Sequence, residues 1–203
     1  MVPQRPSPAP PDAAGDVPPH YAALVGPRFV LAVVVTSLLA GLLAFTRTPP
    51  PAWLAWAALV GPGALCIVVD AATTWIPRAL SLAMDAVAAI GIAVWAVAAH
   101  DPWVAVRAAA AGLLAGGFFL LFRLASRGQL GLFDVRLAAV VGAVTGAGSA
   151  QAALWSVFAG TAIGAIWGVL HALTRGRTPF AYGPALWLGP FAVLLLGLLL
   201  PAG

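Results

Sequence analysis

Seven apolar stretches follow one another along the chain, separated by short breaks rich in Pro, Gly, Arg and polar residues. A helix needs about 20 apolar residues to cross the hydrocarbon core of a bilayer, and Pro- and Gly-rich breaks end helices. The pattern therefore predicts an all-α fold, a polytopic membrane bundle of about seven transmembrane helices. The predicted spans are 29–45, 52–69, 77–99, 103–122, 135–149, 151–172 and 181–201.

The first 27 residues differ from the rest of the chain, because they contain eight prolines and show no apolar periodicity. A segment that cannot bury apolar surface stays disordered. We therefore expect residues 1–27 to be a disordered, proline-rich cytoplasmic tail and residues 28–203 to form one transmembrane domain. We expect no secretory signal, since the first apolar stretch follows a long proline-rich segment and leads into further spans.

The composition agrees with a chain whose solvent is the lipid bilayer. Hydrophobic residues make up 62% of the chain and charged residues 8%, whereas soluble domains carry about a quarter charged residues. The basic residues are scattered between apolar runs, which argues against nucleic acid as a partner. The single cysteine, Cys66, excludes an internal disulfide and a multi-cysteine metal site, and we expect neither a metal nor another cofactor.

The arginines predict the orientation of the bundle. Membrane proteins carry their excess of basic residues on the cytoplasmic side, and a cytoplasmic N-terminus leaves only Arg47 and Arg107 outside. The bias also favours an odd number of spans. The cytoplasmic regions and their adjoining helix ends then hold Arg5, Arg28, Arg78, Arg123, Arg127, Arg136, Arg175 and Arg177.

Two aspartates are the main candidates for chemistry. Asp70 ends the second predicted span and Asp134 begins the fifth, so both lie at the predicted cytoplasmic edge of the membrane. An ionisable group there is costly unless it is paired or hydrated, and it is a functional candidate by default. Two carboxylates at one site share a proton and can activate water without a metal. The alternative is local ion pairing, Asp70 with Arg78 and Asp134 with Arg136.

Asp85 is the third acid within the predicted membrane region. It lies about 13 Å into the third span at 1.5 Å per residue, so it requires a buried partner or a water-filled cavity. Two interpretations of Asp85 stay open: a neutral acid that is hydrogen-bonded to a helix carbonyl, or a residue with a supporting role at the cleft.

Three segments of the chain resemble the prepilin peptidase family, also called the type IV leader peptidases. Asp70 is followed at a short distance by Ile76 and Pro77. Residues 131–137 read Gly-Leu-Phe-Asp-Val-Arg-Leu, similar to the Gly-x-Gly-Asp-Val-Lys-Leu motif of that family. Residues 179–186 read Pro-Phe-Ala-Tyr-Gly-Pro-Ala-Leu, similar to the stretch that opens the last helix of the family. The three segments occur in the family's order.

The resemblance implies a membrane-embedded aspartic endopeptidase of the cell inner (plasma) membrane. Such enzymes cut the short basic leader from pilin-like precursors at the cytoplasmic membrane face, so the implied partners are a pilin-like precursor and the lipid bilayer. The implied catalytic residues are Asp70 and Asp134. The implied supporting residues are Gly131, Phe133, Arg136, Pro77, Gly183 and Pro184.

The sequence also departs from the family pattern. Phe133 replaces the second glycine of the motif and would narrow the site, Arg136 replaces Lys, and Arg78 stands where Asp or Asn is common. The paired Cys-x-x-Cys motifs of the long family members do not occur, which implies a short, peptidase-only form. Two alternatives follow: a catalytically inactive homologue that serves pilus or secretion assembly, and a small proton-coupled transporter that uses Asp85.

Overall fold

The computed structural model describes residues 21–127, 130–176 and 180–199 of the 203-residue chain. Helices joined by short turns make up these segments, and no strand occurs within them. The predicted fold class, an all-α bundle of about seven spans, is confirmed. The α-helices are α1 (Pro27–Arg47), α2 (Trp53–Ala58), α3 (Ala64–Thr73), α4 (Arg78–Ala98), α5 (Trp103–Ala125), α6 (Leu132–Gly148), α7 (Ala150–Arg175) and α8 (Gly183–Leu199).

The lengths of these helices match the thickness of a membrane. Five segments are long and apolar enough to cross it, namely Pro27–Arg47, Pro50–Thr73, Arg78–Ala98, Trp103–Ala125 and Ala150–Arg175. The remaining two spans, α6 and α8, have 17 residues each, or about 25 Å at 1.5 Å per residue. The protein is therefore a polytopic helical membrane protein.

The predicted tail lies mostly outside the described residues, since the description begins at residue 21. Its described part, Tyr21–Leu24, forms a 3₁₀ turn, and α1 already begins at Pro27. Proline suits this first helical position because its missing N–H would have no partner there. Disorder of residues 1–20 stays a prediction.

The second span is interrupted at its middle. α2 and α3 are joined by a π-helical turn, Leu59–Gly63, that contains Pro62. Proline lacks the N–H of a regular helical bond, and π turns accommodate such a defect. The indole N–H of Trp187 on α8 donates to the carbonyl of Leu59 at 2.9 Å, so α8 is bonded to the second span at its distortion.

Small residues allow two antiparallel helix pairs to approach closely, as is common in lipid. In the α5–α6 pair, a Cβ added to Gly116 would lie 2.9 Å from the Cβ of Ala139. In the α7–α8 pair, a Cβ added to Gly160 would lie 2.7 Å from the carbonyl oxygen of Leu186. The helices alternate in direction through the bundle, so α3, α5 and α7 end where α4, α6 and α8 begin. We call this the site end.

The arginines divide unequally between the two ends of the bundle. Arg47 ends α1 and Arg107 lies in the second turn of α5, so both belong to the opposite end. Arg5 and Arg177 lie outside the described residues. The described arginines at the site end are Arg28, Arg78, Arg123, Arg127, Arg136 and Arg175.

Candidate active site

Asp70 lies in the last turn of α3 and is only 6% exposed. The helix ends at Thr73, and the N–H of the next residue, Thr74, donates to the carbonyl of Asp70 at 2.7 Å, after which the left-handed backbone of Thr74 (φ 57°) turns the chain out of the helix. Pro77 then disfavours a helical backbone in the residue before it and serves as the N-cap of α4. The Ile-Pro pair therefore turns the chain sharply into α4 and keeps Asp70 at the end of its span.

Asp134 lies in the first turn of α6 and is 8% exposed. Its Oδ2 accepts a hydrogen bond from the backbone N–H of Gly131 at 3.2 Å, as in one half of a capping box. A Cβ on Gly131 would lie 3.0 Å from this oxygen, so a side chain at position 131 would crowd the bond. The first glycine of the motif thus leaves room for the aspartate to cap its own helix.

Gly183 connects the third segment of the resemblance with the first two. It begins α8 and is buried, and a Cβ at this position would lie 2.6 Å from Oδ2 of Asp70 and 3.1 Å from Cε1 of Phe133. Pro184 follows in the first turn of α8, where a missing N–H is tolerated. Segments from α3, α6 and α8 therefore meet at one point of the site end.

The two aspartates share this environment. The charge of Asp70 acts on Asp134, and so does the positive charge of Arg123 at the end of α5. Arg123 also donates to the backbone carbonyl of Leu130, which holds the turn that precedes α6. Tyr182 lies within electrostatic range of Asp134 as well. Asp70 and Asp134 therefore lie at the same buried site, and the positive charge of Arg123 partly balances that of Asp134.

One oxygen of Asp70 has a notable environment. Oδ2 is buried and makes no well-formed hydrogen bond to any residue that the structure describes, although the backbone N–H of Gly183 acts on this carboxyl group. Buried polar atoms almost always have a partner, and an exception in a native fold needs an explanation. A carboxylate oxygen that faces a glycine backbone and has no well-formed hydrogen bond is suited to bind water or a substrate group.

The local ion pairs that the sequence left open do not form. Within the described residues, the ion pairs join Arg136 to Asp85 and Arg107 to Asp101, so Arg78 is not paired with Asp70 nor Arg136 with Asp134. This outcome follows from helix packing, which brings α4 beside α6. Asp85 has a partner within the bundle, and that partner is the half-buried guanidinium of Arg136 rather than a helix carbonyl.

Ser81 is a member of this cluster that the sequence analysis missed. Arg136 donates through Nε to Asp85 Oδ2 at 3.0 Å and through Nη1 to Ser81 Oγ at 2.9 Å. The available signal was the spacing of Ser81 and Asp85, four residues apart and hence on one face of a helix. Cys66, fully buried, lies within electrostatic range of Asp70, Asp85 and Arg136.

No group of three or more His, Cys, Asp or Glu side chains arranged to hold a metal ion occurs in the described segments. The fold and the site define a class: a polytopic helical membrane protein with two buried carboxyl groups at one end of the bundle. Comparison with protein families, curated proteins and solved structures finds no match for this chain.

Proposed function

We propose that this protein is a membrane-embedded aspartic endopeptidase that removes the basic leader of type IV pilin-like precursors. One observation carries the proposal. The three segments that resemble prepilin peptidases lie far apart in the chain, yet the backbone of Gly183 contacts both the carboxyl of Asp70 and the ring of Phe133, the neighbour of Asp134. Packing requirements alone do not account for two buried acids at this junction.

The chemistry follows from two carboxyl groups that share one proton. The ionised group removes a proton from water, whose oxygen adds to the scissile carbonyl, while the protonated group donates to the carbonyl oxygen. The tetrahedral intermediate then collapses, the C–N bond breaks, and the leaving amine takes a proton from the dyad. The proton belongs to the pair rather than to either aspartate alone, and Oδ2 of Asp70, which has no well-formed hydrogen bond, is suited to hold the water.

The topology supports a cut at the membrane surface. We propose that the site end faces the cytoplasm in the cell inner membrane with the N-terminus inside, since six of the described arginines lie at that end and basic residues favour the cytoplasm. Asp70 and Asp134 lie within one turn of helix ends. A leader that precedes the precursor's apolar helix would present its scissile bond at this depth.

The decisive experiment is cleavage by the purified protein in proteoliposomes. The substrate is a pilin-like precursor with a basic leader and an apolar helix, and mass spectrometry locates the new N-terminus. We expect one cut at the junction of leader and helix. A folded protein that leaves a panel of such precursors intact would contradict the proposal.

Phe133 favours the second candidate function, that of a catalytically inactive assembly component. Its ring lies against Gly183, where the glycine of the resembling motif would leave open space. Wild-type cleavage removes this candidate. The transporter alternative stays a hypothesis, in which Asp85 would have to act while paired with Arg136.

A further inference from the structure

The first turn of α6 is less tightly packed than the rest of the helix. From Leu137 onward the helix lies in the core, and Leu137 and Val141 are fully buried. Ahead of them, Leu132 is exposed and Val135 is only partly buried. Asp134 stands in this first turn, so the direction of its carboxyl depends on how the first turn is held.

A fork of hydrogen bonds from Arg136 joins the first turns of α6 to α4. Nε and Nη2 both donate to Oδ2 of Asp85, and Nη1 donates to Oγ of Ser81 at 2.9 Å. Ser81 and Asp85 lie one turn apart on the same face of α4. The planar guanidinium therefore has two attachment points along α4, which define both its position and its orientation.

The fork explains a departure from the resembling motif. That motif has Lys where this chain has Arg136, and an ammonium is a point charge that cannot reproduce a planar, two-point contact. Arg136 follows Asp134 by two residues, so the two side chains leave α6 on nearly opposite sides. Whatever holds Arg136 against α4 directs Asp134 to the other side of the helix, away from α4.

We infer that Ser81, Asp85 and Arg136 form a positioning network for the site. The network fixes the rotation of the first turns of α6 and so directs the Asp134 carboxyl toward Asp70. The inference rests on the proposed function, and it assigns these three side chains a role that neither contacts the substrate nor takes part in proton transfer.

The energetics of the pair agree with a geometric role. Arg136 and Asp85 are 31% and 33% exposed in the bundle, and charges at this depth are costly in a membrane. Asp85 Oδ1 is buried and has no hydrogen-bond partner in the described segments. Apolar residues of similar volume often replace such pairs without loss of stability, so stability alone does not account for this one.

The test is the double variant Asp85→Leu/Arg136→Met, which removes both charges together and leaves no uncompensated ion. We expect it to accumulate in membranes near the wild-type level and to bind precursor with KM within about twofold of wild type. The kcat for leader cleavage falls about 100-fold, the cost of a displacement of about 1 Å in a reacting group. A network with a purely structural role would not produce this split between kcat and KM.

A second readout is independent of cleavage. Hydrogen–deuterium exchange of the backbone amides in residues 131–136 reports how firmly the first turn of α6 is held. We expect faster exchange in the double variant than in the wild type. The control is Asp101→Asn, which removes the acid of the other Asp–Arg ion pair, at 3.2 Å, at the opposite end of the bundle, while Arg107 keeps its hydrogen bonds to the carbonyl of Ala147 in α6. It leaves kcat and the exchange of residues 131–136 unchanged.

The outcomes separate the inference from the proposed function. Wild-type kcat and unchanged exchange in the double variant overturn the inference while the peptidase stands. A wild-type protein that does not cleave contradicts the proposed function. The exchange of residues 131–136 then tests the network by itself: faster exchange in the double variant supports it, and unchanged exchange overturns it. If the double variant does not accumulate, Arg136→Lys is used in its place, because lysine keeps the positive charge but cannot form the fork of hydrogen bonds. A kcat about tenfold lower than wild type then supports the inference, and a wild-type kcat overturns it.

Discussion

The backbone of Gly183, at the start of α8, faces the carboxyl of Asp70, near the end of α3, with no room for a side chain between them. A Cβ at position 183 would lie 2.6 Å from Oδ2 of Asp70, well inside van der Waals contact. The last helix of the bundle thus forms a wall of the site although it contributes no charged group. This close contact makes Gly183 a sensitive probe of the site.

Gly183→Ala is expected to abolish most cleavage while the protein still folds. The added methyl pushes the Asp70 carboxyl out of place, and misplacement of a reacting group by about 1 Å costs about 100-fold in rate. The unfolding midpoint in detergent and the rate of leader cleavage are measured together. Gly197→Ala on the same helix is the control, because nothing lies within 4 Å of a Cβ there. Equal cleavage by both variants would contradict the contact.

Asp70→Asn and Asp134→Asn are each expected to lower the rate of leader cleavage by a factor of about 10²–10⁴, the usual contribution of a general acid or base. The amide cannot accept the proton of water or donate an acidic one, yet it keeps the shape of the side chain. Asp101→Asn, in the turn before α5 at the opposite end, is the control. Leader cleavage is measured at equal amounts of membrane-inserted protein. Normal processing by either dyad variant would eliminate the aspartic mechanism.

Phe133→Ala is expected to widen the site. The ring lies 3.1 Å from the Cβ position of Gly183, so its removal opens space next to Asp70. The kcat/KM for precursors with a large side chain beside the scissile bond should rise relative to those with a small one. Phe158→Ala is the control, because Phe158 is exposed on the outer face of α7. An unchanged ratio for Phe133→Ala would place the ring outside the substrate path.

Trp187→Phe is expected to destabilise the bundle by about 1–3 kcal/mol, the cost of leaving a buried carbonyl without its donor. Its indole N–H is the donor to Leu59 in the π turn, and the side chain is 4% exposed. The free energy of unfolding in detergent or bicelles measures the loss. Trp167→Phe, on an exposed position of α7, should leave it within about 0.5 kcal/mol. A similar, small change in both variants would show that the bond adds no stability.

The proposed orientation predicts opposite labelling at the two ends. In intact cells, a membrane-impermeant thiol reagent should label His100→Cys, in the turn between α4 and α5, and should not label Ser126→Cys, which follows α5. The native Cys66 is fully buried and should give little background. Labelling of position 126 alone would invert the bundle and move the site to the outside.

Much of the fold follows directly from local pattern. In lipid, each helix satisfies its own backbone groups, so the length and position of the apolar runs predict the spans. The structure confirms a helix in each of the seven predicted regions, including the short, glycine-rich one that became α6. The π turn was not predicted, although Pro62 lies within the second apolar run. Neighbouring helices decide whether a proline in a membrane helix produces a kink, a bulge or no change of direction. Here the Trp187 indole from α8 donates to the carbonyl of Leu59 at the start of that turn.

The candidate site, too, could be predicted from the sequence only in part. Asp70 and Asp134 stand out in the sequence because acids are rare and costly at membrane boundaries, and their flanking motifs carried the resemblance. The partner of Arg136 could not be predicted, since Asp134, two residues away, and Asp85, on another span, were both available. Ser81 gave no signal beyond its spacing from Asp85.

The sequence by itself determined that this is a helical membrane protein, where its spans lie, and which two acids are candidates for chemistry, because these depend on hydrophobicity and charge read locally along the chain. Only the tertiary structure decided that Gly183 packs against Asp70, that the Phe133 ring lies beside Gly183, and that Arg136 binds Asp85 and Ser81 instead of Asp134. Those contacts depend on which helix faces which and at what rotation. That choice is made by contacts between side chains from different helices, the apolar core and the Arg136 network among them.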